Sequence, residues 1–181
     1  MFEGWDNFFV LVGTASGGLI GLLFVVITLT AGIDRNRALK ASGVYMTPNV
    51  VHFAVTLVAS ALVLAPRIST RVDALILAGA ALAGLSNAIR TCLGVAAFAR
   101  EGDSPPHWSD MPLYGFAPGV IYVLLLGVAV AIWLGAAFAP FALAALLMVL
   151  MLLAIRNAWD LITWMAPGPP PGAATPPPPA S

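Results

Sequence analysis

Two arginines stand inside long uncharged stretches and are the clearest candidates for chemistry in this sequence. Arg90 follows 16 uncharged residues and precedes nine more, and Arg156 follows 45. A charged side chain at the centre of a membrane helix costs about 2.5–3.5 kcal/mol on insertion scales, so each arginine marks a functional hypothesis. Even a snorkelling Arg90 would have to reach about 13 Å along the helix axis. We therefore expect it to have a buried partner, Asp160 or Asp34.

The second arginine has a simpler explanation within its own helix. Arg156 and Asp160 are four residues apart, which places them on one helix face where they can form an ion pair. The same segment also has the composition of a membrane interface, with polar residues beside Trp159 and Trp164. We favour this structural interpretation over a functional pair.

The third and fifth hydrophobic segments of the chain cross the membrane in the same direction, so their carboxyl-terminal ends, which carry the two arginines, lie near one boundary. Several other polar residues are expected at that boundary. We predict a single intramembrane polar cluster at that level, formed by Asp34, His52, Asn87, Arg90, Arg156, Asn157 and Asp160.

His52 is the one histidine in an apolar segment, and it can titrate near neutral pH as a proton shuttle or sensor does. A histidine hydrogen-bonded to its neighbours is the simpler interpretation. His107 lies in a polar loop and Cys92 is the only cysteine, so no spacing indicates haem, a metal ion or another cofactor. We predict that the protein has no cofactor.

Catalytic patterns are sparse. The sequence contains no G-x-S-x-G or H-E-x-x-H pattern, no phosphate-binding glycine loop followed by lysine, and no pair of carboxylates within a hydrophobic segment. We therefore predict that the protein is not an enzyme. A lipid- or peptide-modifying activity that uses His52 or Asp160 as a base is the weakest of the alternatives.

The composition indicates the kind of protein that positions these residues. Of the 181 residues 60% are hydrophobic and 9% are charged, and the mean hydropathy is +0.95, which is typical of a protein surrounded by lipid. Eight basic and eight acidic residues balance, so nothing indicates binding to nucleic acid.

Uncharged runs divide the chain into five crossings of an all-α bundle. Residues 111–155 would form one helix of about 68 Å, more than twice the hydrocarbon thickness, so the chain must turn back, and Pro140 is the breaker placed to do so. A proline-rich tail, 167–181, is expected to be disordered or polyproline II. The predicted crossings are 7–31, 48–65, 72–98, 113–138 and 141–164.

Orientation follows from the basic residues in the loops. An N-out, C-in arrangement places Arg35, Arg37, Lys40 and Arg100 inside, against Arg67 and Arg71 outside, which agrees with the positive-inside rule. The alanine-rich composition is typical of a bacterial source. We expect a multi-pass protein of the bacterial cytoplasmic membrane.

Small residues predict how the helices pack. Gly13, Gly17 and Gly21 repeat every four residues on one face of the first crossing, where a neighbouring backbone can approach closely. The third and fourth crossings carry comparable faces, which include Gly84, Ala88 and Cys92 in one and Gly115 and Gly119 in the other. Such faces serve packing within one chain, a homo-oligomer or another membrane protein.

These observations favour a non-enzymatic accessory or scaffold component of a membrane complex, because packing faces are abundant and chemistry is sparse. The alternative is an oligomeric channel or transporter with a polar path lined by Arg90 and Arg156. The sequence contains no voltage-sensing arginine series and no inverted repeat.

Overall fold

The regular structure of this chain is helical. The computed structural model describes residues 1–30, 46–66, 69–101 and 111–165, and no strand occurs within these ranges. Each helix is long and apolar enough to cross a membrane, which confirms the predicted all-α bundle of five crossings and identifies an integral membrane protein. The helices are α1 (Asp6–Thr30), α2 (Thr47–Leu64), α3 (Thr70–Glu101), α4 (Met111–Trp133) and α5 (Ala139–Met165).

Local chemistry explains where most of these helices begin and end. Pro48 occupies the first turn of α2, where its missing N–H costs nothing, and Pro66 follows the extended residue Ala65 at the other end. The first stretch of α4, Met111–Phe116, is wound as a wide π-helix before the regular α-helix begins at Ala117.

The turn between α4 and α5 differs from the prediction. The fourth helix ends at Trp133 rather than at residue 138, and Gly135 makes the turn with φ +73°. The Gly135 and Ala136 amides donate to the carbonyls of Ile132 and Ala131, an arrangement that commonly ends helices at a left-handed glycine. Pro140 does not break a helix here, because it lies in the first turn of α5, where proline is well tolerated.

Four of the helices form an up-and-down bundle. Helix α2 packs against α3 and α5, and α4 packs against the same two, so that α2 faces α4 and α3 faces α5 across the diagonals. Helix α1 lies outside this bundle against α2 and α5. The rings of Trp5 and Phe141 meet at 6.4 Å, so α1 and α5 begin at the same end. Arg71 stacks over Trp133 at 5.7 Å, so α3 begins where α4 ends.

Helices α3 and α4 pack through the small residues that the sequence indicated. The Tyr122 ring lies directly against Gly84, and the Cys92 sulfur lies against Gly115, so that a Cβ at either glycine would overlap these atoms. A close approach of the two backbones follows, because neither glycine carries a side chain to hold them apart.

The predicted glycine face of α1 divides into two parts. Gly13 is buried, and a Cβ built on it would lie 3.0 Å from the Ser60 Cβ on α2. At Gly17 and Gly21 a Cβ would meet no atom within 4 Å, and the same is true at Gly18. Within the described residues, only the first of the three glycines is therefore used to pack this chain against itself.

Candidate functional site

A polar stripe runs along the buried side of α2. At 100° per residue its members fall within an arc of about 80°, and they extend about 16 Å along the helix axis, half the thickness of a hydrocarbon core. Each is at most 1% exposed. Because an unpaired polar group in lipid is costly, such side chains are expected to hydrogen-bond within the protein. The stripe comprises Asn49, His52, Thr56 and Ser60.

A short contact of this stripe crosses the centre of the bundle. His52 Nδ1 and the Tyr122 hydroxyl are 2.6 Å apart, which joins α2 to α4 along the diagonal. The hydroxyl donates when the proton of the neutral imidazole is on Nε2. Thr56 Oγ1 donates to the His52 carbonyl at 2.9 Å. The other ring nitrogen, His52 Nε2, is buried and finds no hydrogen-bond partner in the part of the chain that the structure describes.

A second contact fastens α5 to the π-helical start of α4. Asn157 is fully buried, and its Nδ2 donates to the Leu113 carbonyl at 2.9 Å. In return the Tyr114 hydroxyl donates to the Asn157 carbonyl at 2.8 Å. Two reciprocal hydrogen bonds therefore hold these helix ends in one register.

The charged residues of α5 lie at the rim of this second contact. Arg156 Nη1 donates to Asn157 Oδ1 at 3.1 Å, and Asp160 Oδ2 lies 3.3 Å from the Tyr114 hydroxyl. Both charged side chains are exposed. The ion pair predicted from their spacing is not among the contacts of the described residues, since each side chain has turned towards Asn157 or Tyr114 instead.

Arg90 lies apart from both contacts. Its side chain is exposed, and it makes no ion pair within the residues that the structure describes. The partner expected for it, Asp160, contacts Tyr114. Asn87 is half-buried, and its Nδ2 has no hydrogen-bond partner there. Asp34, the other expected partner, lies outside the described residues.

The exterior of α3 next to Arg90 includes the large exposed side chains of Ile89 and Leu93. Beside them runs a line of small residues. At 100° per residue they share an arc of about 60°, and every one is exposed. The Ser86 hydroxyl donates to the Ala83 carbonyl of its own helix at 2.8 Å. We call this surface the outer α3 face; it comprises Gly79, Ala83, Ser86, Arg90 and Ala97.

The predicted cluster is therefore divided by the fold. Arg156, Asn157 and Asp160 come together, His52 belongs to the separate contact with Tyr122, and Arg90 faces outwards. Sequence reasoning missed both tyrosines and three members of the α2 stripe. The 3-4-4 spacing of polar residues from Asn49 to Ser60 was a readable signal for the stripe, whereas the partners of the tyrosines lie on other helices.

The arrangement contains few of the parts that catalysis needs. Ser16 Oγ is buried and contacts the Met151 sulfur at 3.8 Å rather than a base. Among the described residues, no group of three or more metal-binding side chains could hold an ion. The hydrogen bonds instead join helices to one another.

No protein-family model matches this chain, and neither a characterised protein nor a solved structure is significantly similar to it.

Proposed function

We propose that this protein is a non-enzymatic accessory or scaffold component of a membrane complex, in the bacterial cytoplasmic membrane with its N-terminus outside. One observation carries the proposal. Polar side chains of the interior bond helix to helix, whereas the glycine surface on α1 faces outwards with none of the described residues against it.

Small outward-facing residues are informative because lipid gives helices no hydrophobic reason to associate. Helix association in membranes depends on close van der Waals packing, which small residues allow. Gly17, Gly18 and Gly21 form such a surface on α1. Contact with lipid alone does not require glycine, because large apolar side chains face lipid equally well. An additional membrane helix packed on this surface is the arrangement that uses it.

Photo-crosslinking in native membranes tests this proposal. A photoreactive residue at Gly18 should form an adduct with a different membrane protein, which mass spectrometry can identify. The matched control is Leu152 on α5, which is also exposed but is flanked by large apolar residues. Adducts with lipid alone from both positions would contradict the proposal.

An oligomeric channel or transporter is the second candidate, and the positions of the arginines bear on it. Arg90 and Arg156 are both exposed, so a path lined by them would run between copies of the chain rather than through one copy. Reconstituted liposomes should then conduct ions, and Arg90→Ala should change the conductance. Liposomes that stay impermeable to common anions, cations and protons would remove this candidate.

A further inference from the structure

The outer α3 face carries an arginine for which the described residues supply no carboxylate. Arg90 is exposed on a membrane-spanning helix, in a setting where a bare charge is unfavourable. Ser86 and Leu93, about one turn to either side, are uncharged. The surface therefore fits an occupant that brings a negative charge.

The same chain exposes a carboxylate in the same half of the bundle. Asp160 contacts the neutral Tyr114 hydroxyl through one oxygen, and the described residues supply it with no cation. Cys92 lies against Gly115, so Arg90 stands about 4.5 Å along the axis deeper than Tyr114. Asn157 contacts the Leu113 carbonyl and Asp160 follows three residues later, so the Asp160 backbone lies about 10 Å nearer the membrane boundary than that of Arg90. Extended arginine and aspartate side chains together can cover that difference.

Within one copy these two residues cannot readily meet, because α3 and α5 occupy opposite corners of the bundle. Since α3 and α5 run parallel, two copies in the same membrane orientation present Arg90 and Asp160 on the same side of the bilayer. A neighbouring copy can therefore supply the carboxylate that the described residues of the same copy do not.

We infer that the outer α3 face binds a second copy of this chain head to tail, with Arg90 of one copy paired to Asp160 of the next. A symmetric contact between two outer α3 faces is disfavoured, because it would place Arg90 against Arg90. Head-to-tail contacts of this kind close into rings when the rotation allows it. This inference does not depend on the proposed function, which requires a different protein.

Charge reversal in two separate chains tests the pairing. Chains with Arg90→Asp and chains with Asp160→Arg, each with a fluorophore at the C-terminus, are reconstituted in liposomes and followed by energy transfer. Each variant alone should lose self-association, with at least a tenfold higher dissociation constant than the wild type. Mixing the two variants should restore self-association. In an alternating ring, half of the contacts pair the introduced carboxylate at position 90 with the introduced guanidinium at position 160, and the other half are wild-type pairs of Arg90 and Asp160.

Two controls and a pair of substitute variants accompany the charge reversal. Arg90→Lys keeps the charge and should retain association if the variants fold, as judged by helical circular dichroism and a single size-exclusion peak. Asp34→Asn should leave association unchanged. If reversal prevents folding, Arg90→Gln and Asp160→Asn replace it, and each should weaken association of the folded chain.

The inference is overturned if the wild type is monomeric in liposomes, if Arg90→Asp associates normally, or if mixing restores nothing. Loss of association in Asp34→Asn together with normal association in Asp160→Arg would also overturn it, in favour of Asp34 as the carboxylate that meets Arg90. The crosslink from Gly18 to another protein is measured separately, so the failure of one proposal does not hide the success of the other.

Discussion

His52 and Tyr122 are joined across the centre of the bundle by a 2.6 Å hydrogen bond, which connects the two helices that otherwise face each other only along a diagonal. Both side chains are fully buried. The surrounding apolar side chains pack with little directional preference. This directional hydrogen bond therefore fixes the rotation of α2 relative to α4.

Removing the hydroxyl should weaken the bundle. We expect Tyr122→Phe to lower the free energy of unfolding by about 0.5–2 kcal/mol, the range that double-mutant cycles and model peptides give for hydrogen bonds between membrane helices. Reversible unfolding in mixed micelles measures the change. In a double-mutant cycle with His52→Leu the coupling should be of similar size, and additive effects would show that the two residues do not cooperate.

The close packing of α3 on α4 should be sensitive to one methyl group. Gly84→Ala places a Cβ into the Tyr122 ring, and we expect a loss of about 1–3 kcal/mol in the free energy of unfolding. Gly127→Ala is the matched control, because nothing lies within 4 Å of its Cβ. That control should be neutral or stabilising by up to about 1 kcal/mol, since alanine favours the helix. Equal effects from both variants would rule out the tight contact.

The hydrogen bonds of Asn157 should hold the end of α5 against the start of α4. Asn157→Leu leaves the Leu113 carbonyl without its donor, and we expect a loss of about 1–3 kcal/mol. Arg156→Gln should cost much less, because that side chain is exposed. Proteolysis of the region around Met111–Phe116 in micelles reports the loosening, and unchanged protection in Asn157→Leu would contradict the assignment.

The turn between α4 and α5 should require glycine. Gly135 has φ +73°, a conformation that costs other residues roughly 1–2 kcal/mol. Gly135→Ala should therefore lower stability by about that amount, although space for a Cβ is available. Gly135→Asn should be milder, because asparagine tolerates the left-handed region. An alanine variant as stable as the wild type would show that this turn has another conformation.

Several features of the fold could be read from local sequence alone. Pro48 and Pro66 marked both ends of α2, because proline constrains the backbone in any context. The end of α4 predicted from Pro140, residue 138, lies about five residues beyond the observed end at Trp133. The left-handed glycine that ends the helix acts through hydrogen bonds that form only once the turn exists.

The sequence by itself determined that five helices cross the membrane and that alternate helices run in the same direction, because long uncharged runs can be sheltered only by lipid and each crossing reverses the chain. Only the tertiary structure decided the partners: His52 with Tyr122, Asp160 with Tyr114, and Arg90 towards the exterior. The physical reason is that hydropathy is a property of each segment alone. The rotation of a helix and the choice of its neighbours depend on where small residues such as Gly84 let two backbones approach.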